Sequence, residues 1–475
     1  MRMAAGVWTW CCGMIFVSIV GGWSQAFGGK LEDVLFENKQ ITIDQWVQLK
    51  AEEEKRQVKE FEESRGVGDV PVSERWYEKI SIRGYTQFRY NQTVNNDLLQ
   101  SNQGDRSIRG NNEFFLRRAR VIISGQPHER VFVYVQPEFA SVVSGTEQVV
   151  SLRDFYADLF LDSKKEWRIR AGLSKVPYGF ENLQSSQNRI AFDRNDALNS
   201  AVPNERDLGL FLYYAPTSIR ERFRRLVDSG LKGSGDYGML GLGVYNGQGP
   251  NTRDQNKSKH VVFHSSVPFE LPWRNGQIIE VGMDAYTGQY NVAATPVVAA
   301  LSPPQPAASP ILHNNGNYQD ERVAWHFVMF PQPFGLQGEY TVGRGPELNQ
   351  ARTEVVNGSL RGGYLQAFYN YKCDTYCQNI FPFMRVQEYY GGRKSESNSP
   401  RNSVREWELG LEYQFNRALE LTVMYTWTQR NTSNSSFSPG VCSASTVGAS
   451  TIPCLQSPYQ LESGNLLRFQ LQWSF

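Results

Sequence analysis

The ending of this chain constrains its fold more than any other stretch. Leu467, Phe469, Leu471, Trp473 and Phe475 alternate with Arg468, Gln470, Gln472 and Ser474. A period of two gives a strand one apolar and one polar face. The pattern recurs along the chain. Ile80, Ile82, Phe88 and Tyr90 alternate with Ser81, Arg83, Gln87 and Arg89, and Ala119, Val121 and Ile123 with Arg118, Arg120 and Ser124. Trp167, Ile169, Ala171 and Leu173 alternate with Arg168, Arg170 and Ser174. Leu409 to Phe415 and Leu419 to Trp427 repeat the rhythm. Each run approaches the roughly 9–11 residues that a tilted strand needs to cross a bilayer. A soluble antiparallel sheet shows the same alternation. It does not account for so many long strands without separate core-forming helices, nor for the ending.

A last strand closing on a terminal Phe resembles the sorting signal of outer-membrane barrels, which implies recognition by the barrel-assembly machinery. Composition agrees. Mean hydropathy is −0.47, yet 13% of residues are aromatic. That combination suits a barrel in which alternate residues face lipid and aromatic girdles mark both interfaces. Lys and Arg number 49 against 48 Asp and Glu, a net charge of +1. This argues against a nucleic-acid surface, so charge must act by position.

The N-terminus reads as a secretory signal over residues 1–26. Arg2 precedes an apolar run from Val7 to Val20, and Ser24-Gln25-Ala26 is a small-residue cleavage site. No other run reaches the roughly 18 apolar residues of a membrane helix. Residues 27–78 predict a short helical periplasmic leader, with Thr42 and Gln45 forming a capping box. It serves either as a solvated spacer or as a short coiled coil between subunits. Residues 79–475 form the barrel domain. Cys11 and Cys12 fall within the signal, leaving Cys373, Cys377, Cys442 and Cys454. Local disulfides, Cys373 with Cys377 and Cys442 with Cys454, are the reading for an oxidising compartment. The Cys373–Cys377 spacing also invites a metal, but no His lies nearby.

The strand count is about sixteen, even as bacterial barrels require. Short connections at Gln126–Glu129, Asp162–Lys165, Leu271–Asn275, Phe330–Pro333 and Asn416–Ala418 would be periplasmic. Long ones at Gln92–Gly110, Val176–Arg206, Val292–Tyr318 and Thr432–Glu462 would be external. Thr217–Gly235 is the exception, long on the short side. Val176–Arg206 shows no strand or helix rhythm, and a loop that long is usually functional or disordered. Its mixture of Phe180, Leu183, Ile190 and Phe192 with Lys175, Glu181, Arg189, Asp193, Arg194, Arg206 and Asp207 lets it fold inward and narrow a pore. Asp193, Arg194, Arg206 and Asp207 could be catalytic acids and anion clamps; the plainer reading is salt-bridged pins holding the loop against the wall.

These residues resemble the phosphate-selective porin O and P family. The matching points are FFLRRARVIISG (Phe114–Gly125), SLRDFYADLFL (Ser151–Leu161) and GLSKVPYGFENLQSS (Gly172–Ser186). FDRN, ERDLG and GLGVYNGQGPN (Gly241–Asn251) continue the series. The resemblance implies an all-β, sixteen-stranded antiparallel outer-membrane β-barrel, assembled as a homotrimer, with its third external loop folded inward. It implies an anion site of Arg117, Arg118, Ser185 and Ser186, with Asp154 at an inward acidic position. The lysine expected after Glu181 is absent; Asn182 stands there, and Lys175 is no evident substitute.

Independently of the family, the polar phase of the early strands and the closing strand carries Arg83, Arg89, Arg118, Arg120, Arg168, Arg170 and Arg468. Later strands carry Glu280, Asp284, Glu339, Glu408, Glu412 and Glu420. A basic wall facing an acidic one is therefore expected, with Asp154 and Asp158 as exceptions on the basic side and Arg168 and Arg170 facing water. Opposed charges favour small polar solutes, whereas a filter for one anion would be more uniformly basic. The alternative is that the charges only pair and keep the wall hydrated. Strict alternation sends Arg117 towards lipid unless the strand kinks. His260 and His264 suit a metal only on a helix, and no Ser/His/acid cluster suggests an enzyme. The expected function is passive diffusion of small hydrophilic solutes, anions preferred, across a bacterial outer membrane, with no cofactor. The alternatives are a phosphate-selective channel, or a plugged barrel acting as a surface structural or attachment protein.

Overall fold

The computed structural model describes residues 79–94, 112–143, 146–272, 276–297, 299, 307–373, 375–433 and 460–475, with Gln45 and Glu52 alone ahead of them, both helical. The signal segment, nearly all of the leader and the Cys442–Cys454 pair lie outside the described residues. The chain divides into Met1–Tyr77 and Glu78–Phe475. Within the second unit the strands are β1 (Ile80–Thr93), β2 (Glu113–His128), β3 (Val131–Val143) and β4 (Thr146–Phe160). Next come β5 (Trp167–Lys175), β6 (Arg206–Tyr214), β7 (Leu240–Tyr245) and β8 (His260–Leu271). β9 (Gln277–Asn291), β10 (Asn317–Met329), β11 (Phe334–Leu348) and β12 (Val355–Tyr369) follow. The last are β13 (Asn379–Gly392), β14 (Arg401–Asn416), β15 (Leu419–Thr432) and β16 (Gln460–Ser474). Tyr371–Lys372 continues β12 along the edge of β13, so the seventeen pieces of the sheet make sixteen staves.

Every neighbour pairs antiparallel, and β16 closes on β1, with Tyr85 opposite Ser474 and Thr93 opposite Leu466. Closure leaves no open edge, the condition for a sheet to sit in lipid with its backbone groups satisfied. Burial is inverted relative to a soluble domain. The largest fully buried side chains include Arg89, Arg206, Arg322, Arg385, Arg430 and Arg468, while Leu210, Leu242, Leu365 and Leu409 lie more than half exposed on the outside. Soluble interiors almost never bury arginine unpaired; here the apolar face is the outer one. Exposed Trp167, Phe334, Tyr369, Tyr371, Phe415 and Trp473 ring the rim of short turns, the position of an interfacial girdle. At that rim Cys373 and Cys377 form a disulfide.

Two features depart from a plain barrel. The β1–β2 register shifts between Gln87 and Phe88: Gln87 faces Arg118, but Phe88 faces Leu116. Arg117 is thus the extra residue of a bulge, which re-aims a side chain. The connection between β6 and β7, expected only as a long loop, carries helix α3 (Thr217–Asp228).

Candidate functional site

The segment between β5 and β6 turns into the barrel, as its apolar residues demand. Val176, Tyr178, Leu198 and Val202 pack with Phe211, Tyr245 and Tyr286 on one wall. Ile190, Ala191 and Phe192 pack on Phe368, Phe381, Phe383 and Met424 of the opposite wall. Two short helices break the expected absence of rhythm: α1 (Phe180–Leu183) and α2 (Asp196–Ala201). Asn195 caps α2, accepting from the Leu198 N–H, the role Asn favours. The Glu181 carboxylate accepts from both the backbone and the side-chain N–H of Asn195 at 2.8 Å, which ties the two helices together.

At the tip, Asp193 meets four arginines from three adjacent strands. Arg468 lies 2.9 Å from its carboxylate, Arg89 3.1 Å, Arg117 3.4 Å and Arg118 4.0 Å. Arg117 reaches inward only because of the bulge, a kink of the kind that strict alternation requires if it is to join the expected anion site. Gln87 and Gln470 orient the group, accepting from Arg118 at 2.6 Å and Arg89 at 2.7 Å. The guanidiniums of Arg89 and Arg468 also lie over the Phe192 ring, 4.7 and 5.1 Å from its centre. One step along the lumen, Arg120 donates to Glu138 at 2.6 Å, to the Tyr85 hydroxyl at 2.7 Å and to the Ser186 hydroxyl at 3.0 Å. Ser185 does not join: it is half-buried, and its carbonyl accepts from the Asn188 N–H. Arg83 shares the inward phase but is exposed near the short-turn rim.

At the base of the loop, Glu205 is held by Arg189 at 2.5 Å, Arg194 at 3.5 Å and Arg206. Burial alone pushes its carboxyl up, but Arg189, Arg206, Lys175 and Arg194 outweigh that and hold it well below the usual carboxylate range. Burial lowers the Arg194 guanidinium to about 10. Arg206 also bridges to Asp154 at 2.9 Å. Lys175, the last residue of β5, donates to the Leu183 and Gln184 carbonyls at 3.2 and 2.8 Å. Asn182 donates to the Val176 carbonyl at 3.0 Å and accepts from Arg194 at 2.5 Å. Asp207 sits in a nest: Gly247 and Gly249, at φ 97° and 94°, aim their N–H groups at one carboxylate oxygen from 2.7 and 3.0 Å.

The far wall is not simply acidic. Arg385 binds Glu181 at 2.7 Å, Arg430 binds Asp196 at 2.8 Å, and Arg322 donates to the Ser200 hydroxyl at 2.6 Å. These arginines also pair with wall acids, Arg385 with Glu408 and Arg430 with Glu406 at 2.5 Å. The two-wall expectation missed them, although each occupies the polar phase of its strand. Acids that the loop reaches directly are Asp284, accepting from the Gly179 N–H at 2.9 Å, and Glu339, accepting from the Glu181 N–H at 3.3 Å.

The β6–β7 connection enters from the other rim. Leu226 of α3 packs with Phe180, Ile278, Val328 and Phe330. Lys232 reaches Glu412 on β14 at 2.5 Å, and the Gln184 side chain donates to its carbonyl at 2.7 Å, joining the two inward segments. Asp236 accepts from Arg168 at 2.7 Å, and Arg170 is bidentate to Asp158 at 2.7 and 2.9 Å. Burial pushes the Asp236 carboxyl up, but Arg168 and Arg220 hold it well below its ordinary value. Arg168 and Arg170 are therefore inward but sealed, not water-facing as expected, because this connection covers them. His260 and His264 hydrogen-bond to Asp320 at 3.3 Å and Asp284 at 2.5 Å. No group of three or more His, Cys, Asp or Glu among the described residues is placed to hold a metal ion.

Residues 88–449 match the profile of a protein family described as phosphate-selective porin O and P. No curated protein matches the chain. Solved structures do, each over 83% of this chain. The outer membrane channel DcaP of Acinetobacter baumannii is 11% identical, covers 97% of its own length and gives a TM-score of 0.46. The anion-selective porin from Comamonas acidovorans is 9% identical over 99% of its length, TM-score 0.45. The trimer form of OmpT from Vibrio cholerae is 10% identical over 99%, TM-score 0.47.

Proposed function

Because this chain belongs to the phosphate-selective porin O and P family, and is thereby a channel of the bacterial outer membrane, we propose that it passes small hydrophilic solutes with a preference for anions and without a site dedicated to phosphate. The reading rests on one observation: Arg89, Arg117, Arg118 and Arg468 converge beside the inward loop. Guanidiniums gathered at a constriction attract small anions and repel cations.

Two features speak against phosphate dedication. Asn182 stands where the family resemblance leads one to expect a lysine, and both ends of its amide are engaged inside the loop. The Lys175 ammonium is bound to two carbonyls and is not offered to the lumen. A homotrimer, with the terminal strand read by the assembly machinery, belongs to the same proposal. Native-mass measurement of the detergent-extracted protein tests the trimer.

Reconstitution in a planar bilayer tests the channel. In a KCl gradient the reversal potential should carry the sign of chloride preference. Arg118→Ala should lower the chloride-to-potassium permeability ratio up to about fivefold, the effect of one unit charge at about 4 Å in water. Absence of stepwise conductance, or potassium preference in the unaltered protein, would sink the proposal.

A further inference from the structure

A porin that prefers anions would be expected to leave its guanidiniums open to them, yet among the described residues four guanidiniums share the Asp193 carboxylate. Arg468 and Arg89 contact one of its oxygens at 2.9 and 3.1 Å, and Arg117 and Arg118 approach the other at 3.4 and 4.0 Å. The carboxylate is carried on the loop tip while all four arginines belong to the wall. The tip is seated by its own neighbours: the Phe192 carbonyl accepts from Arg89 at 2.8 Å, and the Asp193 carbonyl accepts from Arg385 of the opposite wall at 2.9 Å. The tip residue is thus held from both sides with its charge aimed at the arginines.

We infer that Asp193 is a tethered anion that occupies the arginine site and sets the selectivity of the channel. A carboxylate is a two-oxygen acceptor for guanidinium, and a permeating chloride, phosphate or organic carboxylate would seek the same donors. An anion that reaches these donors must share or displace Asp193. Such competition keeps anion residence short and the site undiscriminating among anions, which suits passage better than capture. This inference rests on the proposed anion preference and names the residue that limits it.

The position of Asp193 separates a local effect from bulk charge. Asp196, three residues on in the same loop, binds Arg430 of the far wall at 2.8 Å. Removing either carboxylate changes the loop by one charge, but only Asp193→Asn removes the carboxylate that these four arginines share.

The test is electrophysiology on the full-length protein, with inorganic phosphate as the probe. Asp193→Asn should move the reversal potential in a KCl gradient further towards chloride. It should also lower the phosphate concentration that halves the chloride current by about tenfold, the value of one charge-assisted hydrogen-bond set released to the ligand. Asp196→Asn should leave the phosphate block unchanged and move the reversal potential less than Asp193→Asn does, because Arg430 keeps Glu406. Equal shifts in both variants, or no shift in Asp193→Asn, would overturn the inference. Should Asp193→Asn fail to insert, Asp193→Ser removes the same charge and is read in the same way. A potassium-preferring wild type that becomes chloride-preferring in Asp193→Asn would uphold this inference and reject the functional reading. A chloride-preferring wild type unmoved by Asp193→Asn would do the reverse.

Discussion

Asn182 shows how far a single residue can be interpreted from its type alone. In the sequence it is a missing lysine; in the structure its amide closes a ring between Val176, Arg194 and the base of the loop. Restoring the lysine should not restore phosphate binding. Asn182 is fully buried, and an ammonium there would lose the acceptor that Arg194 uses and lie beside that guanidinium. An uncompensated buried charge costs about 3–5 kcal/mol. Asn182→Lys should therefore lower the denaturant midpoint of the barrel while leaving phosphate block of the chloride current unchanged. A gain in phosphate block at unaltered stability would show the side chain turning into the lumen instead. Arg117 teaches the complementary lesson. The resemblance put it in the anion site, but periodicity alone could not, because periodicity presumes one residue per rung and a bulge is set by pairing with β1, which no run of letters within β2 records.

At the level of elements, the inward loop is an ion-paired body, and its base should resist acid. The Glu205 carboxyl is held well below its usual value of 4.5, burial being outweighed by the surrounding cations. For a group whose folded-state pKa is depressed, the stabilisation is complete above the unfolded value and is lost only as pH falls through the folded one. The window of loss thus lies below pH 4.5. Glu205→Gln should lower the melting temperature at pH 7, and the difference from wild type should be kept at pH 4.5, where a free glutamate would be half protonated. A difference already halved at pH 4.5 would mean that the arginines do not hold the carboxylate as the geometry indicates. The flanks of this loop and its inward turn were legible, since two alternating strands bracket a stretch too apolar to stand in water. Its helices α1 and α2 were not, because four and six residues are too short to show a period. Nor was the folding of α3 into the other mouth: TSIRERFRRLVD reads as a basic surface segment until Phe223 and Leu226 find an interior to enter.

For the whole molecule, selectivity has to come from placement, because 49 basic and 48 acidic residues leave a net charge of only +1. The alternation of the strands, including the one that ends at Phe475, was enough to specify a closed barrel with polar groups inside. Which inward charges would meet could not be read off, since register fixes partners such as Arg120 and Glu138 across strands. The far-wall arginines are bound to loop acids and wall acids at once, so much of the interior charge is spent internally. On the proposed reading, what acts on a permeating ion is the local excess near the Asp193 arginines, and a local field is open to screening. The Debye length falls from about 10 Å at 0.1 M salt to about 3 Å at 1 M. Chloride preference should therefore be strongest in dilute KCl and decline towards unity as the mean concentration rises over that range at a constant gradient ratio. A permeability ratio independent of salt would place selectivity in direct, dehydrated contact between ion and guanidinium, and the passage would then have to be narrower than a hydrated chloride.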